Sequence, residues 1–316
     1  MKRIVLLFLA LSALTASAEN ASWLRYPSIS PDGNNVAFSY KGDIYIVDSE
    51  GGEARQLTSN PAYDYSPVWS PDGKTLAFAS DRYGNFDIFT IPVSGGVPFR
   101  VTTHSAKETP WTFTPDGKRL LFTARIQDPA ESAQFPKGTM TELYSVSVNG
   151  GRYEQVLATP AEEVSFIDKS SSFVYQDCKG GENIWRKHHT SSITRDIWMY
   201  DGTKQIKLTS DEGEHRSPQD SSDGSTVYLI SRRVGSINIY SFPLNNPDNI
   251  SRVTSHKTHP VRFLTVSDND VLCYGYDGDI YVKRGESASK KLKITVRSDK
   301  NDDNLAELSV SGGGDN

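Results

Sequence analysis

The chain has 316 residues with 39 acidic and 34 basic side chains and a formal charge of -5. The charges are interspersed, so there is no basic stripe to displace counterions from a phosphate backbone, and nucleic acid is not an expected partner. Beyond the first eighteen residues no apolar run approaches the ~18 needed to cross a bilayer, so no membrane span is expected once that segment is removed. Lys2 and Arg3, the apolar stretch Ile4 to Leu14 and the small-residue end Ala16-Ser17-Ala18 occur in the order of a secretory signal peptide. The expectation is cleavage after residue 18, a mature charge near -7 without Lys2 and Arg3, and a periplasmic or secreted protein.

From Glu19 onward the chain repeats itself. The turn Ser30-Pro31-Asp32-Gly33 returns as Ser70-Pro71-Asp72-Gly73 and Thr114-Pro115-Asp116-Gly117, then decays through Ile167 to Ser170, Ser221 to Gly224 and Ser267 to Asp270. Proline presets φ, aspartate bonds the local backbone and glycine accepts positive φ, so each copy suits a tight turn between strands. After each turn come a short apolar run and then an anchor such as Asp43-Ile44-Tyr45, Asp87-Ile88-Phe89, Glu142-Leu143-Tyr144, Asp196-Ile197-Trp198, Asn238-Ile239-Tyr240 or Asp279-Ile280-Tyr281. Glycine pairs and strands ending in Leu57-Thr58, Val101-Thr102, Leu208-Thr209 or Val253-Thr254 complete the unit.

Four short strands in a period of about 40 to 55 residues predict a propeller blade, since one such sheet cannot bury both faces alone. The fold expected is all-β, a six-bladed β-propeller with four antiparallel strands per blade over residues 19–298, followed by a flexible tail over 299–316. Phe38, Phe78, Phe122, Tyr175, Tyr228 and Cys273 are aligned at one strand position as blade-to-blade core. Cys273 on that strand and Cys178 in a distant loop predict two free thiols. Because the strands of each unit follow one another as far as Val296, the ring is expected to close by side-chain packing, without a strand lent between its ends.

Units three and four carry extra residues between their second and third strands, Arg125 to Thr139 and Lys179 to Arg195. Insertions mark a binding face in repeat folds. Loops joining the second strand to the third, and the fourth to the next blade, leave the same end of a propeller. All six histidines are assigned to that end: His104, His188, His189, His215, His256 and His259. A histidine cluster ligates metal or moves protons, whereas separate loop histidines simply bond nearby backbone. Both readings stay open. Asp64, Glu108, Arg216 and Arg262 are expected to line the same mouth, which makes Asp64, His104, Glu108, Arg186, His188, His189, His215, Arg216, His259 and Arg262 the candidate peptide- or partner-binding residues. The stretch Trp185 to Ser192, with Arg186 and Lys187, suits either a grip on a carboxylate or peptide terminus or an insertion pinned to the rim.

No Gly-x-Ser-x-Gly elbow, zinc helix, calcium loop or phosphate-cradling glycine loop occurs, so no catalytic residue, no metal ligand and no cofactor is assigned. The Ser-Pro-Asp-Gly repeats followed by Asp-Ile-Tyr and Leu-Thr resemble the propeller blades of TolB and of tricorn-like serine peptidases. Ser80 to Asp87, Trp185 to Trp198 and His259 to Leu264 resemble the first propeller of bacterial tricorn homologues, over Tyr26 to about Asp299. The resemblance implies a large peptidase in which propellers flank a catalytic domain, and no position here matches the catalytic motif. Three functions follow as expectations: a non-catalytic module that binds or guides peptides or organises a peptidase assembly, an independent TolB-like interaction propeller of the cell envelope, and a metal-dependent lyase acting in the channel.

Overall fold

Side chains of the turns themselves lock the hairpins. Ser30 Oγ donates to Asp32 Oδ1 at 2.5 Å, and the same carboxylate accepts the amide of Asn34 at 3.1 Å while Asn35 N donates to Ser30 Oγ at 2.9 Å. Ser70 with Asp72, Thr114 with Asp116 and Ser221 with Asp223 repeat the arrangement. These bonds favour the charged carboxylate, and they hold Asp32, Asp72, Asp116 and Asp223 below the usual aspartate range. Gly33 is required for a second reason: its φ is 73°, and a Cβ there would meet the Asn269 side chain at 2.6 Å.

The computed structural model describes residues 19–126, 140–180, 193–233 and 235–297. Every regular element among them is a strand. A short β1 (Glu19–Asn20) precedes blade one, made of β2 (Arg25–Ile29), β3 (Asn35–Tyr40), β4 (Asp43–Asp48) and β5 (Gly52–Gln56). Blade two contains β6 (Asp64–Trp69), β7 (Thr75–Ser80), β8 (Asp87–Pro92) and β9 (Phe99–Arg100), and blade three β10 (Glu108–Phe113), β11 (Arg119–Ala124), β12 (Glu142–Ser147) and β13 (Glu154–Leu157). Blade four contains β14 (Ala161–Phe166), β15 (Phe173–Asp177), β16 (Ile197–Tyr200) and β17 (Gln205–Lys207). Blade five contains β18 (His215–Asp220), β19 (Thr226–Ser231), β20 (Asn238–Pro243) and β21 (Ser251–Arg252). Blade six contains β22 (Arg262–Val266), β23 (Val271–Tyr276), β24 (Asp279–Arg284) and β25 (Lys290–Lys291), after which comes β26 (Ile294–Val296). Each blade is an antiparallel sheet in chain order, so the expected six-bladed, four-stranded architecture stands.

Six apolar clusters, one in each seam between neighbouring blades, hold the ring together. Between blades one and two, for example, Ala37, Ile44 and Ile46 meet Leu76, Phe78 and Phe89. Polar bonds cross the seams too: Trp69 Nε1 donates to Ser28 O at 2.8 Å and Ile29 N to Thr265 Oγ1 at 3.1 Å. Burying one large apolar side chain is worth roughly 1.5 to 3 kcal/mol, so these repeated seams are the main stabilising contribution.

The structure corrects the core column in the last two blades. The second and third strands pair Phe38 with Tyr45, Phe78 with Phe89, Phe122 with Tyr144 and Tyr175 with Trp198, and the series continues as Leu229 with Tyr240 and Tyr274 with Tyr281. Tyr228 and Cys273 are one residue off and face the following blade instead. A one-residue slip moves a side chain to the other face of a sheet, and register is set by the strand ladder, not by counting from turns of unequal length. Cys273 is fully buried and Cys178 partly so, and both are free thiols.

Ring closure is the second correction. β26 pairs in parallel with β5, with Ile294, Thr295 and Val296 opposite Gly52, Glu53 and Ala54, and β1 adds antiparallel outside it. Blade one is therefore six-stranded, in the order β1-β26-β5-β4-β3-β2. Leu292 ends blade six as Leu57 ends blade one, its amide bonding Ile280 O at 2.9 Å. The alternating residues after it cover the open edge of the next sheet, burying Ile294 and Val296.

Candidate functional site

The first strand of each blade lies innermost, and β2, β6, β10, β14, β18 and β22 contact one another in succession around the axis. Near its beginning each of these strands carries a bulge or break in register. In five of them a non-glycine residue there adopts positive φ: Tyr26 at 51°, Ser66 at 56°, Glu163 at 51°, Ser217 at 49° and Phe263 at 58°. Such conformations cost about 1–3 kcal/mol each and persist only where the surroundings enforce them. The result is a column of re-aimed residues around the channel, close to the loop end.

Two unlike walls result. Across blades six, one and two run aromatic rings, with Phe263 to Tyr26 at 4.7 Å, Tyr26 to Tyr65 at 5.3 Å and Tyr65 to Phe86 at 5.0 Å between centroids. Lys107 Nζ stands 5.4 Å from the Tyr65 ring and 5.2 Å from that of Phe86. Burial pushes the Tyr26 and Tyr65 hydroxyls up to about 12, which keeps both neutral. Across blades four to six the wall is charged. Buried Arg195 reaches Glu162 at 3.6 Å and Glu214 at 3.7 Å, and the Arg216 guanidinium donates to Glu214. Burial pushes the Glu163 carboxyl up, and its hydrogen-bonding partner is Ser217 of the next blade. Arg262 is lowered to about 10, first by burial and then by the neighbouring Arg216.

Of the expected site residues that the structure describes, only Arg216 and Arg262 are brought together and partly exposed here. Asp64 opens β6 fully buried, paired with Arg82 at 2.6 Å. Glu108 opens β10 with no exposure; it accepts the Thr102 hydroxyl, and burial is the main cause that pushes it up to about 8. His215 lies at the start of β18 and not in a loop; it is buried, 3.0 Å from Asp211, whose carboxyl it holds well below the usual range. His104 Nδ1 accepts the Ala106 amide at 3.0 Å, and His259 faces Asp277 at 3.2 Å. His256 stacks on Tyr276 at 3.8 Å and bonds the Tyr274 hydroxyl at 2.9 Å. Arg186, His188 and His189 lie outside the described residues. Among the described residues no three His, Cys, Asp or Glu side chains converge as a metal site.

The residues that sequence reading missed are Tyr26, Phe263, Glu162, Glu163 and Arg195. Aligning the residue pairs at the register breaks of five innermost strands, Arg25-Tyr26, Tyr65-Ser66, Glu162-Glu163, Arg216-Ser217 and Arg262-Phe263, is the signal that finds all but Arg195. At the opposite end of the ring a cavity of 580 Å³ lies among the turns of blades one and two, with Pro31, Asp32, Pro71 and Asp268 in its lining.

Comparison with known proteins gives one family match. Residues 21–289 match the model of the tricorn protease N-terminal β-propeller domain. The crystal structure of the tricorn protease superposes with a TM-score of 0.72 at 22% identity, covering 85% of this chain and 26% of that one. A TolB structure from Agrobacterium tumefaciens gives 0.58 at 17% identity, covering 73% and 80%. These structural likenesses show the fold. Short stretches are closer in sequence: 47% identity over 55 residues with the uncharacterized peptidase YuxL of Bacillus subtilis (strain 168), 16% of this chain and 8% of that protein. A TolB homolog of Chlorobium chlorochromatii (strain CaD3) is 45% identical over 49 residues, 15% of this chain and 11% of that one. The matches thus span about a tenth of those relatives. Given a family match that runs through all six blades, the chain belongs to the tricorn protease N-terminal β-propeller family.

Proposed function

We propose that the chain is a non-catalytic propeller module of a periplasmic or secreted tricorn-like peptidase, and that its loop-end mouth binds or guides peptides. The observation that carries this reading is the two-walled mouth, aromatic across blades six, one and two and charged across blades four to six. An extended peptide offers both apolar side chains and charged groups. On this reading Arg216 and Arg262 give charge-assisted hydrogen bonds to a carboxylate, and the segment with Arg186, His188 and His189 belongs to the same proposal. Asp64, Glu108 and His215 act on this reading as buried supports of the strands that carry the mouth. The export pattern of residues 1–18 supports the compartment, and the tail over 299–316 is read as a linker.

The test is titration of the purified chain with a mixed peptide pool, followed by mass spectrometry of what is retained. Retained, uncleaved peptides are expected, with weaker retention by Arg262→Ala. Hydrolysis by the pure chain overturns the non-catalytic assignment. The sequence match to TolB homologs favours a second reading, an envelope interaction propeller; it predicts a folded-protein partner in a periplasmic pull-down and no retained peptides. The lyase reading gains no support, because the described histidines are engaged one by one in separate local contacts.

A further inference from the structure

We infer that the aromatic wall makes the mouth selective for peptide segments in which an aromatic side chain stands next to a carboxylate; the inference rests on the peptide-binding reading. Three features of the wall argue for that occupant. First, the rings are contributed by three separate blades and meet edge to tilt, with centroids 4.7 to 5.3 Å apart from Phe263 through Tyr26 to Tyr65 to Phe86. Tyr65 is buried, while Tyr26, Phe86 and Phe263 keep part of their surface open. An incoming ring therefore meets aromatic edges and faces already fixed in place, the arrangement that favours offset or edge-to-face pairing over simple apolar contact.

Second, the two wall residues that border the charged side, Tyr26 and Phe263, are both held at positive φ, at 51° and 58°. Ser66, Glu163 and Ser217 share this position and conformation, and in blades six and one the residue so turned is an aromatic ring. The bulge turns these rings out of the alternation that would otherwise bury or expose them with the strand. Third, cations stand at both ends of the wall. Arg262 immediately precedes Phe263 in β22, with Arg216 beside it, and Lys107 lies over Tyr65 and Phe86 at the other end. An aromatic residue seated on Tyr26 and Phe263 places its neighbouring acidic group within the field of one of these cations. A basic neighbour meets like charge instead.

The carboxylate can come from an Asp or Glu side chain or from the end of the peptide, and the experiment separates the two. Fluorescein-labelled Gly/Ser octapeptides are prepared with one Phe followed by Glu, with Phe replaced by Ala, with Glu replaced by Gln or Lys, and each with a free or an amidated C-terminus. Their affinities for the purified chain are measured by anisotropy at low and moderate salt. The Phe-Glu peptide is expected to bind roughly 3- to 10-fold more tightly than its Ala counterpart. Tyr26→Ala and Phe263→Ala are expected to erase that difference, so that each variant binds the Phe-Glu peptide and its Ala counterpart with equal affinity. Phe263→Leu, which keeps apolar bulk without a ring face, guards against a merely structural effect, and the far-ultraviolet spectrum of each variant reports its fold. If amidation alone removes the preference, the carboxylate recognised is the peptide end; if Glu to Gln removes it, it is the side chain. Equal affinity for Phe and Ala peptides overturns the inference and leaves peptide binding intact. Absence of binding by every peptide overturns the peptide reading and the inference with it.

Discussion

The seam between blades six and one and the seam between blades two and three do the same work with different means. Blades two and three are joined through the chain itself, by the loop from Val101 to Lys107, and their seam combines apolar packing with two buried carboxyls, Asp87 and Glu108. Blades six and one are not consecutive in sequence. Their seam packs apolar residues as well, carries exposed ion pairs of Glu50 with Arg284 and Lys290, and adds a strand ladder, with β26 laid along β5 and β1 outside it. The lesson is that a seam held by covalent continuity accommodates buried carboxyls, whereas the closing seam adds backbone pairing to its apolar contact.

The comparison can be broken or sharpened by substitution, and the largest effect belongs to the core shared by all seams. Phe122→Ala removes a fully buried ring between blades two and three and is expected to cost roughly 3–5 kcal/mol in urea unfolding. A smaller loss would mean that this seam is not held by packing. Thr295→Pro deletes an amide from the closing ladder at a partly exposed side chain, and a loss of roughly 1–3 kcal/mol is expected. No change in the midpoint would show that the ladder is dispensable and that packing closes the ring.

The smallest of the three effects depends on pH. Glu108 is pushed up to about 8 in the folded protein from 4.5, so the folded chain keeps a proton that the unfolded chain releases. Its contribution to stability is fully present below pH 4.5 and is lost as pH rises through 8. The groups around it are Asp87, which opposes ionisation, and Arg100 and the Thr102 hydroxyl, which favour it. Glu108→Gln keeps a partner for Thr102 and is expected to flatten this decline, with a gain on the order of 1–2 kcal/mol at pH 8 and little at pH 4.5. Parallel curves for the two proteins between those values would remove Glu108 as the source.

Much of the architecture was legible because the repeat is written in residues that have few alternatives. Pro-Asp-Gly at three turns with three decayed copies, and Asp-Ile-aromatic or a close variant in six third strands, are local signals that give the blade count. Closure was not legible, since Leu292 to Val296 has the alternation of an ordinary fourth strand and nothing in it names the sheet it joins. Register in blades five and six failed for a related reason, as Tyr228 and Leu229 are both suitable core residues and only the ladder decides between them. At the mouth, charge could be read but direction could not. Asp64 and Glu108 turn inward to buried partners, while Tyr26, Glu163 and Phe263 are aimed by positive φ, a conformation that carries no mark in a Tyr, Glu or Phe.

The pairing of Glu19 with Val296 has a mechanical side. Polypeptide entering at one and leaving at the other emerges side by side, about 5 Å apart, at the rim of a single sheet. Tension applied between those two points peels the rungs apart one at a time instead of shearing them together. The first thing to yield under load is then the outer pair of strands, with the other five blades unstressed.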